Sequence, residues 1–210
     1  EAALGYAITL RAVEDNQYTS DFNMMNLRLV DSFAQFKEVQ GANILNNGQT
    51  YDAQVGGDGV ALFSTAHPYD LGTWANTFTT QLDLNESSLL QAYINIGSTF
   101  VDEAGLRITA SGEKLIVPPA LEPVALRLIN AELRPGTANN DPNVIPMLSS
   151  GAGKKPPMVY HYLTSNYAWF VKTDKPGLHY FDRIGYDSDM WVDNATDNIM
   201  CKGRERYTFS

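Results

Sequence analysis

Cysteine occurs once in 210 residues, at Cys201, so the chain can hold neither an internal disulfide nor a multi-thiolate metal site, which fits a reducing compartment. Long apolar runs are missing too. No window approaches the roughly eighteen consecutive apolar residues of a membrane span, and the opening EAALGYAITLRAVED has neither the basic start nor the greasy run of a secretory leader. Basic residues are outnumbered: fifteen Lys and Arg against twenty-four Asp and Glu give a formal charge of −9, the wrong sign for gripping nucleic-acid phosphates over a broad face. Tight nucleic-acid binding is therefore not expected. The chain does not begin with methionine, so a fragment or a processed product is expected. What is present suits a folded chain: 44% hydrophobic, 11% aromatic and 19% charged residues can bury a core as one larger domain or two small ones.

Hydropathy patterning gives the elements. Residues 7–13 read as a short strand, or a strand turning into a helix at Glu14-Asp15-Asn16. Residues 21–47 contain no proline, and Phe22, Met25, Leu29, Phe33, Phe36 and Ile44 recur at helical steps. That spacing predicts one amphipathic helix on the order of 40 Å long, ended by Asn46-Asn47-Gly48, with its apolar stripe facing strands of its own domain. Residues 48–80, with Gly56-Gly57-Asp58-Gly59 at their centre, read as a long irregular loop of the kind that carries a job. A second helix is expected from about Asp83 to before Gly105, carrying Leu89, Tyr93, Ile96 and Phe100. The strand of residues 114–117 is halted by Pro118-Pro119, which suit the first turn of a third helix carrying Leu121, Val124, Leu128 and Ile129, closed by Arg134-Pro135-Gly136. Strands are then expected over residues 144–148, 158–163, 168–172, 178–184 and 199–209, with an acidic loop over 187–197. Helices early and strands late make an α+β chain without internal repeats.

Candidate chemistry is sparse. Ser64, His67 and Asp70 lie within seven residues, but a triad needs geometry across separated elements, and there is no Gly-x-Ser-x-Gly elbow; turn-capping is the stronger reading. His67, His161 and His179 lack metal-ligand spacing and are expected to be structural. Gly151-Ala152-Gly153-Lys154-Lys155 resembles the end of a phosphate loop, yet Leu148 replaces the first glycine and Pro156-Pro157 block the required helix. Asp187, Asp189, Asp193 and Asp197 lack the Gly and final Glu of a calcium loop. Glu103 and Glu113 give no sign of a shared pocket. No catalytic, cofactor or metal residue is assigned, and no cofactor is expected. Three Trp, eleven Tyr and nine Phe among polar loops favour an interaction protein.

Three stretches in order carry a family resemblance. They are Ile8-Thr9-Leu10-Arg11-Ala12-Val13-Glu14-Asp15-Asn16 leading into the long helix, Asp58-Gly59-Val60-Ala61-Leu62-Phe63-Ser64-Thr65-Ala66-His67-Pro68, and Gly112-Glu113-Lys114-Leu115-Ile116-Val117-Pro118-Pro119-Ala120-Leu121, the last followed by the polar loop Asn139-Asn140-Asp141-Pro142-Asn143. The chain resembles the major capsid protein of tailed bacteriophages, in the Mu-type major head subunit branch. The resemblance spans nearly the whole chain and implies a peripheral domain with the spine helix (residues 1–112 and 177–210) and an axial domain (113–176). It also implies a non-enzymatic subunit of an icosahedral virion, assembled in the bacterial host cytoplasm as pentamers and hexamers around weakly and non-specifically contacted double-stranded DNA. Portal, scaffolding and decoration proteins are the further implied partners, with no membrane. Family members carry an N-terminal arm and an extended hairpin before the spine helix, and neither is in this sequence. Loops at residues 134–143 and 149–157 would point at the capsomer axis, where Lys154 and Lys155 would meet acidic groups of a neighbour. Two other readings stand beside it: an encapsulin-like compartment shell, and an α+β hydrolase using Ser64 and His67.

Overall fold

The computed structural model describes residues 1–15, 18–52, 57–134, 141–148 and 155–209, leaving aside the side chains of residues 18–23. The elements in chain order are β1 (Ala2–Ile8), α1 (Leu10–Glu14), α2 (Tyr18–Asn46), β2 (His67–Tyr69), β3 (Gly72–Trp74), α3 (Glu86–Thr99), β4 (Gly112–Val117), α4 (Glu122–Asn130), β5 (Met158–Val159), β6 (Phe170–Thr173), β7 (Tyr180–Val192) and β8 (Ile199–Phe209). Among the described residues the architecture is mixed α and β with no barrel: two three-stranded sheets, β1-β8-β7 and β5-β4-β6, and the hairpin β2-β3. Two compact units divide the chain, Glu1–Gly41 with Leu178–Ser210, and Ala42–Gly177. Residue 113, the expected start of the axial domain, lies in β4 inside the second unit.

In the first unit β8 is the central strand, antiparallel to β1 over seven residue pairs and to β7 along a hairpin with two register irregularities. At its far end the chain leaves β1 through Thr9, whose Oγ1 accepts the Ala12 N–H at 3.4 Å and caps α1. Strand turning into helix is thus the arrangement found. The long helix is continuous from Tyr18 to Asn46, as its periodicity predicts. Leu29 and Phe33 are buried, and Phe33 meets the Tyr186 ring edge-on at 5.4 Å between centroids. A Cβ on Gly203 would come within 2.8 Å of the Phe33 ring, so this helix–sheet crossing needs glycine there. One turn further, Lys37 Nζ reaches the buried carboxylate of Glu205 at 3.0 Å.

The expected stripe is narrower than its periodicity implied. Met25 and Phe36 are exposed, and the side chain of Phe22 lies outside the described residues. Phe33 packs at Gly203 and, one helical turn on, Lys37 meets Glu205 two residues further along β8, so helix and strand run alongside each other and one face of α2 meets the sheet there.

In the second unit α3, α4 and the β5-β4-β6 sheet close on one core of Leu89, Tyr93, Ile96, Leu115, Val117, Ala125, Leu128, Ile129 and Ile145. A reciprocal capping box starts α3: Asn85 Oδ1 accepts the Ser88 N–H at 2.9 Å, and Ser88 Oγ accepts the Asn85 N–H at 3.0 Å. Prolines begin the third helix as expected, through a 3-10 turn at Pro119–Leu121 that leads into α4.

Several strand expectations are corrected. Residues 144–148 form a 3-10 turn, Ile145–Met147, because Pro146 has no N–H for a ladder and Asn143 fixes the chain's entry. Only Met158–Val159 of residues 158–163 pairs with β4; Tyr160 N–H then bonds Val117 C=O at 2.9 Å, and a turn follows. The acidic stretch 187–197 is not a loop throughout: β7 continues to Val192, setting Asp187 opposite Arg204 and Asp189 opposite Lys202. Cross-strand charge pairing makes acidic residues acceptable on that ladder. The remaining turn is held by Asp193, whose carboxylate accepts from Thr196 Oγ1 at 2.6 Å and from Ala195 N–H at 3.3 Å.

Candidate functional site

The loop of residues 57–80 belongs to the second unit and carries the residues that the sequence offered for chemistry. Gly57 and Gly59 adopt φ of +100° and +85°, and the turn they allow brings Asp58 back onto the β2-β3 hairpin. There Asp58 Oδ2 lies 2.6 Å from His67 Nδ1. The imidazole is buried and stacks on the Trp74 ring at 4.8 Å, and Trp74 leans against Phe100 at the same separation. Burial pushes the Asp58 carboxyl up, but the hydrogen bonds from His67 and the Val60 amide, with the charge of the imidazole, outweigh it and hold the group below the usual carboxylate range.

The partner of His67 is therefore Asp58, not Asp70. Asp70 instead gives its backbone N–H to the Glu103 carbonyl at 3.0 Å. Ser64 is spent locally: its Oγ accepts the Ala66 N–H at 3.1 Å, and its own N–H goes to Asn76 Oδ1 at 2.9 Å. His67 Nε2 is buried and has no hydrogen-bond partner among the described residues, so no nucleophile–base contact joins it to Ser64. The sequence reading of turn-capping polar groups describes Ser64. It missed Asp58, whose signal was the glycine on either side of it.

Further polar side chains act as internal clamps. Asn46, in the last turn of α2, donates through Nδ2 to the Tyr162 carbonyl at 3.0 Å and accepts the Thr164 N–H at 3.0 Å. Asn143, fully buried, donates to the Leu128 and Ala131 carbonyls at the end of α4 and accepts the Ile145 N–H. Trp169 Nε1 donates to the Leu82 carbonyl at 2.8 Å. Beside the Asn46 and Trp169 clamps lies a groove of about 670 Å³, with Phe63, Trp74, Phe78, Phe100, Trp169 and Phe170 in its walls and Asp83 as the single charged residue of its lining among the described residues. Aromatic walls without a cation suit apolar contact rather than anion binding.

The remaining candidates are dispersed. His161 is exposed in the turn after β5, and His179 is exposed beside Phe181 just before β7. No group of three or more His, Cys, Asp or Glu with metal-holding geometry occurs among the described residues. Of the phosphate-loop look-alike only Lys155 is described, since residues 151–154 lie outside the described residues. Lys155 pairs with Glu113 of its own chain, and Lys172 approaches the other oxygen of that carboxylate at 3.6 Å. Lys155, the lysine expected to meet a neighbour's acid, thus has an acidic partner within its own chain; Lys154 lies outside the described residues. The two lysines hold Glu113 below the usual carboxylate range. Of the two loops expected at a capsomer axis, the one spanning 134–143 is pinched at its base by the Leu133–Pro142 bridge and by Arg134 N–H bonding Asp141 C=O at 2.9 Å.

These side chains hold loops onto strands and helix ends. Residues 2–198 match the family model described as phage capsid protein. The chain belongs to that family and is a structural capsid protein of a bacteriophage. A comparison with curated proteins gives no match. No helix among the described residues is long and apolar enough to cross a membrane.

Proposed function

We propose that this chain is the major head subunit that builds an icosahedral shell from pentamers and hexamers of itself, in the Mu-type branch, and that the shell encloses packaged double-stranded DNA. The observation that carries the reading is the capsid-family match running over residues 2–198. Within it, residues 1–112 and 177–210 are the peripheral domain with α2 as its spine, and residues 113–176 are the axial domain. Charge supports a loose relation to the duplex: at −9 the chain offers no broad basic lining, and phosphate contacts that would impede sliding during filling are few. Assembly takes place in the host cytoplasm, with portal, scaffolding and decoration proteins as further partners of the finished virion.

Electron microscopy of the expressed protein tests this directly. Closed particles with five- and six-fold capsomers are the expected result, and in purified virions a genome open to nuclease throughout would refute the enclosed-genome part. A chain that stays monomeric at high concentration and physiological salt would refute the shell.

A further inference from the structure

The groove in the second unit combines two kinds of surface. Its walls are aromatic: Trp169 and Phe78 stand 6.2 Å apart between ring centroids, and both are half-buried. Tyr167, also in the lining, is 74% exposed, and Leu62 and Leu82 beside it in that lining are partly bare, so uncovered apolar surface gathers in a concave place. The other kind is a lone negative charge. Glu86, at the start of α3, is held by Arg134 at 2.7 Å, whereas the exposed Asp83 carboxylate has no ion-pair or hydrogen-bond partner among the described residues. Its backbone is fixed all the same. The Asp83 carbonyl accepts from Ser88 Oγ at 2.7 Å, and the Leu82 carbonyl accepts the Trp169 indole N–H at 2.8 Å. One short stretch of chain therefore ties an indole ring and an unpaired carboxylate to the same groove.

We propose that this groove binds a short peptide segment of a partner protein, one that presents an arginine between apolar side chains. Every lining residue belongs to the second unit, so the site needs neither a second copy nor an assembled shell. Charge complementarity selects the cation. With Asp83 in the lining and no lysine or arginine there among the described residues, a positive group is attracted by the carboxylate and by the negative faces of the rings, and an anion by neither. Geometry selects guanidinium over ammonium, because its flat face stacks on an indole while its N–H fork reaches a carboxylate. The apolar flanks follow from Tyr167 and Leu82, which a bare cation would leave in water. Size limits the segment: about 670 Å³ lies in the range of small-ligand sites and holds a few side chains rather than a folded element.

The experiment titrates three capped tripeptides into the 210-residue chain by calorimetry. They are Leu-Arg-Leu, its citrulline analogue, which keeps the shape and loses the charge, and Gly-Arg-Gly, which keeps the charge and loses the apolar flanks. Leu-Arg-Leu should bind at least about fivefold tighter than either of the others, the scale of one exposed cation–π contact acting with one surface ion pair. Asp83→Asn should remove most of the preference for arginine over citrulline. Glu132→Gln, the same charge change at an exposed acid outside the groove, should keep it. Asp83→Asn leaves the backbone bonds of residues 82 and 83 in place, and its melting temperature checks the fold. A photoreactive diazirine leucine in the arginine peptide, used on the unaltered chain, locates the site, with adducts expected within residues 74–83 or 164–173. Equal binding of the arginine and citrulline peptides, a preference that survives Asp83→Asn, Gly-Arg-Gly binding as tightly as Leu-Arg-Leu, no saturable binding, or adducts only outside the groove would each overturn the proposal.

Discussion

Replacing Asn143 tests whether one buried amide fixes the turn that the sequence had marked as a strand. Its Nδ2 donates to the Leu128 carbonyl at 2.7 Å and the Ala131 carbonyl at 2.9 Å, and its Oδ1 accepts the Ile145 N–H at 3.2 Å. Asn143→Ala removes all three bonds at a side chain that is 1% exposed. Each is worth about 1 kcal/mol net, and the stranded backbone groups carry a desolvation penalty of similar size unless water reaches them, so the expected loss is about 3 kcal/mol. For a chain of this size that lowers the melting temperature by roughly 6–12 °C. Asn143→Asp keeps the volume but sets a carboxylate against two carbonyl oxygens, and should destabilise at least as much. Urea unfolding followed by tryptophan fluorescence is the assay, since Trp74 and Trp169 lie in the same compact unit as Asn143. A loss below about 1 kcal/mol for the alanine variant, or an aspartate variant as stable as the parent, would refute the argument that these bonds hold the turn.

Other substitutions probe the helix, the loop and the acid limb. Phe33→Ala should cost about 3–5 kcal/mol and lower soluble yield, because the ring is buried against Tyr186 and Gly203; unchanged unfolding would show that α2 is not held to the sheet there. Gly48→Ala places a Cβ 2.5 Å from the Phe63 ring, which is itself stacked on Phe170 at 5.1 Å, and should destabilise by about 1–3 kcal/mol by chemical denaturation. Asp58 has a folded-state pKa below its ordinary value, so its contribution is complete above the unfolded carboxylate range and is lost as pH falls through the lowered value. The unfolding midpoint of the parent should therefore drop more steeply below about pH 4 than that of Asp58→Asn, and parallel curves would remove the Asp58–His67 pair as the cause.

Helix positions were legible because their information is local. The stripe through Leu29 and Phe33, the helical spacing of Leu89, Tyr93 and Ile96 and the prolines before α4 each act within a turn or two of their own residues, and all three mark helices that are present. The strand β8, residues 199–209, was legible for the same reason: its alternation turns Cys201, Gly203 and Glu205 inward and Lys202, Arg204 and Arg206 outward. The family, too, was visible in the order of local patterns along the chain.

Tertiary structure alone decided the rest. Whether residues 144–148 extend or turn depends on Asn143 reaching the end of α4, a contact between positions 12 and 15 residues apart. The reach of β7 through Asp187 and Asp189 depends on Arg204 and Lys202 lying across the ladder, and the exposure of Met25 and Phe36 on which face of α2 is turned to the sheet. His67 shows the difference most directly: its sequence neighbours Ser64 and Asp70 suggested one chemistry, and folding gave it Asp58, because two glycines turn the loop and a buried imidazole keeps whichever carboxylate the backbone delivers.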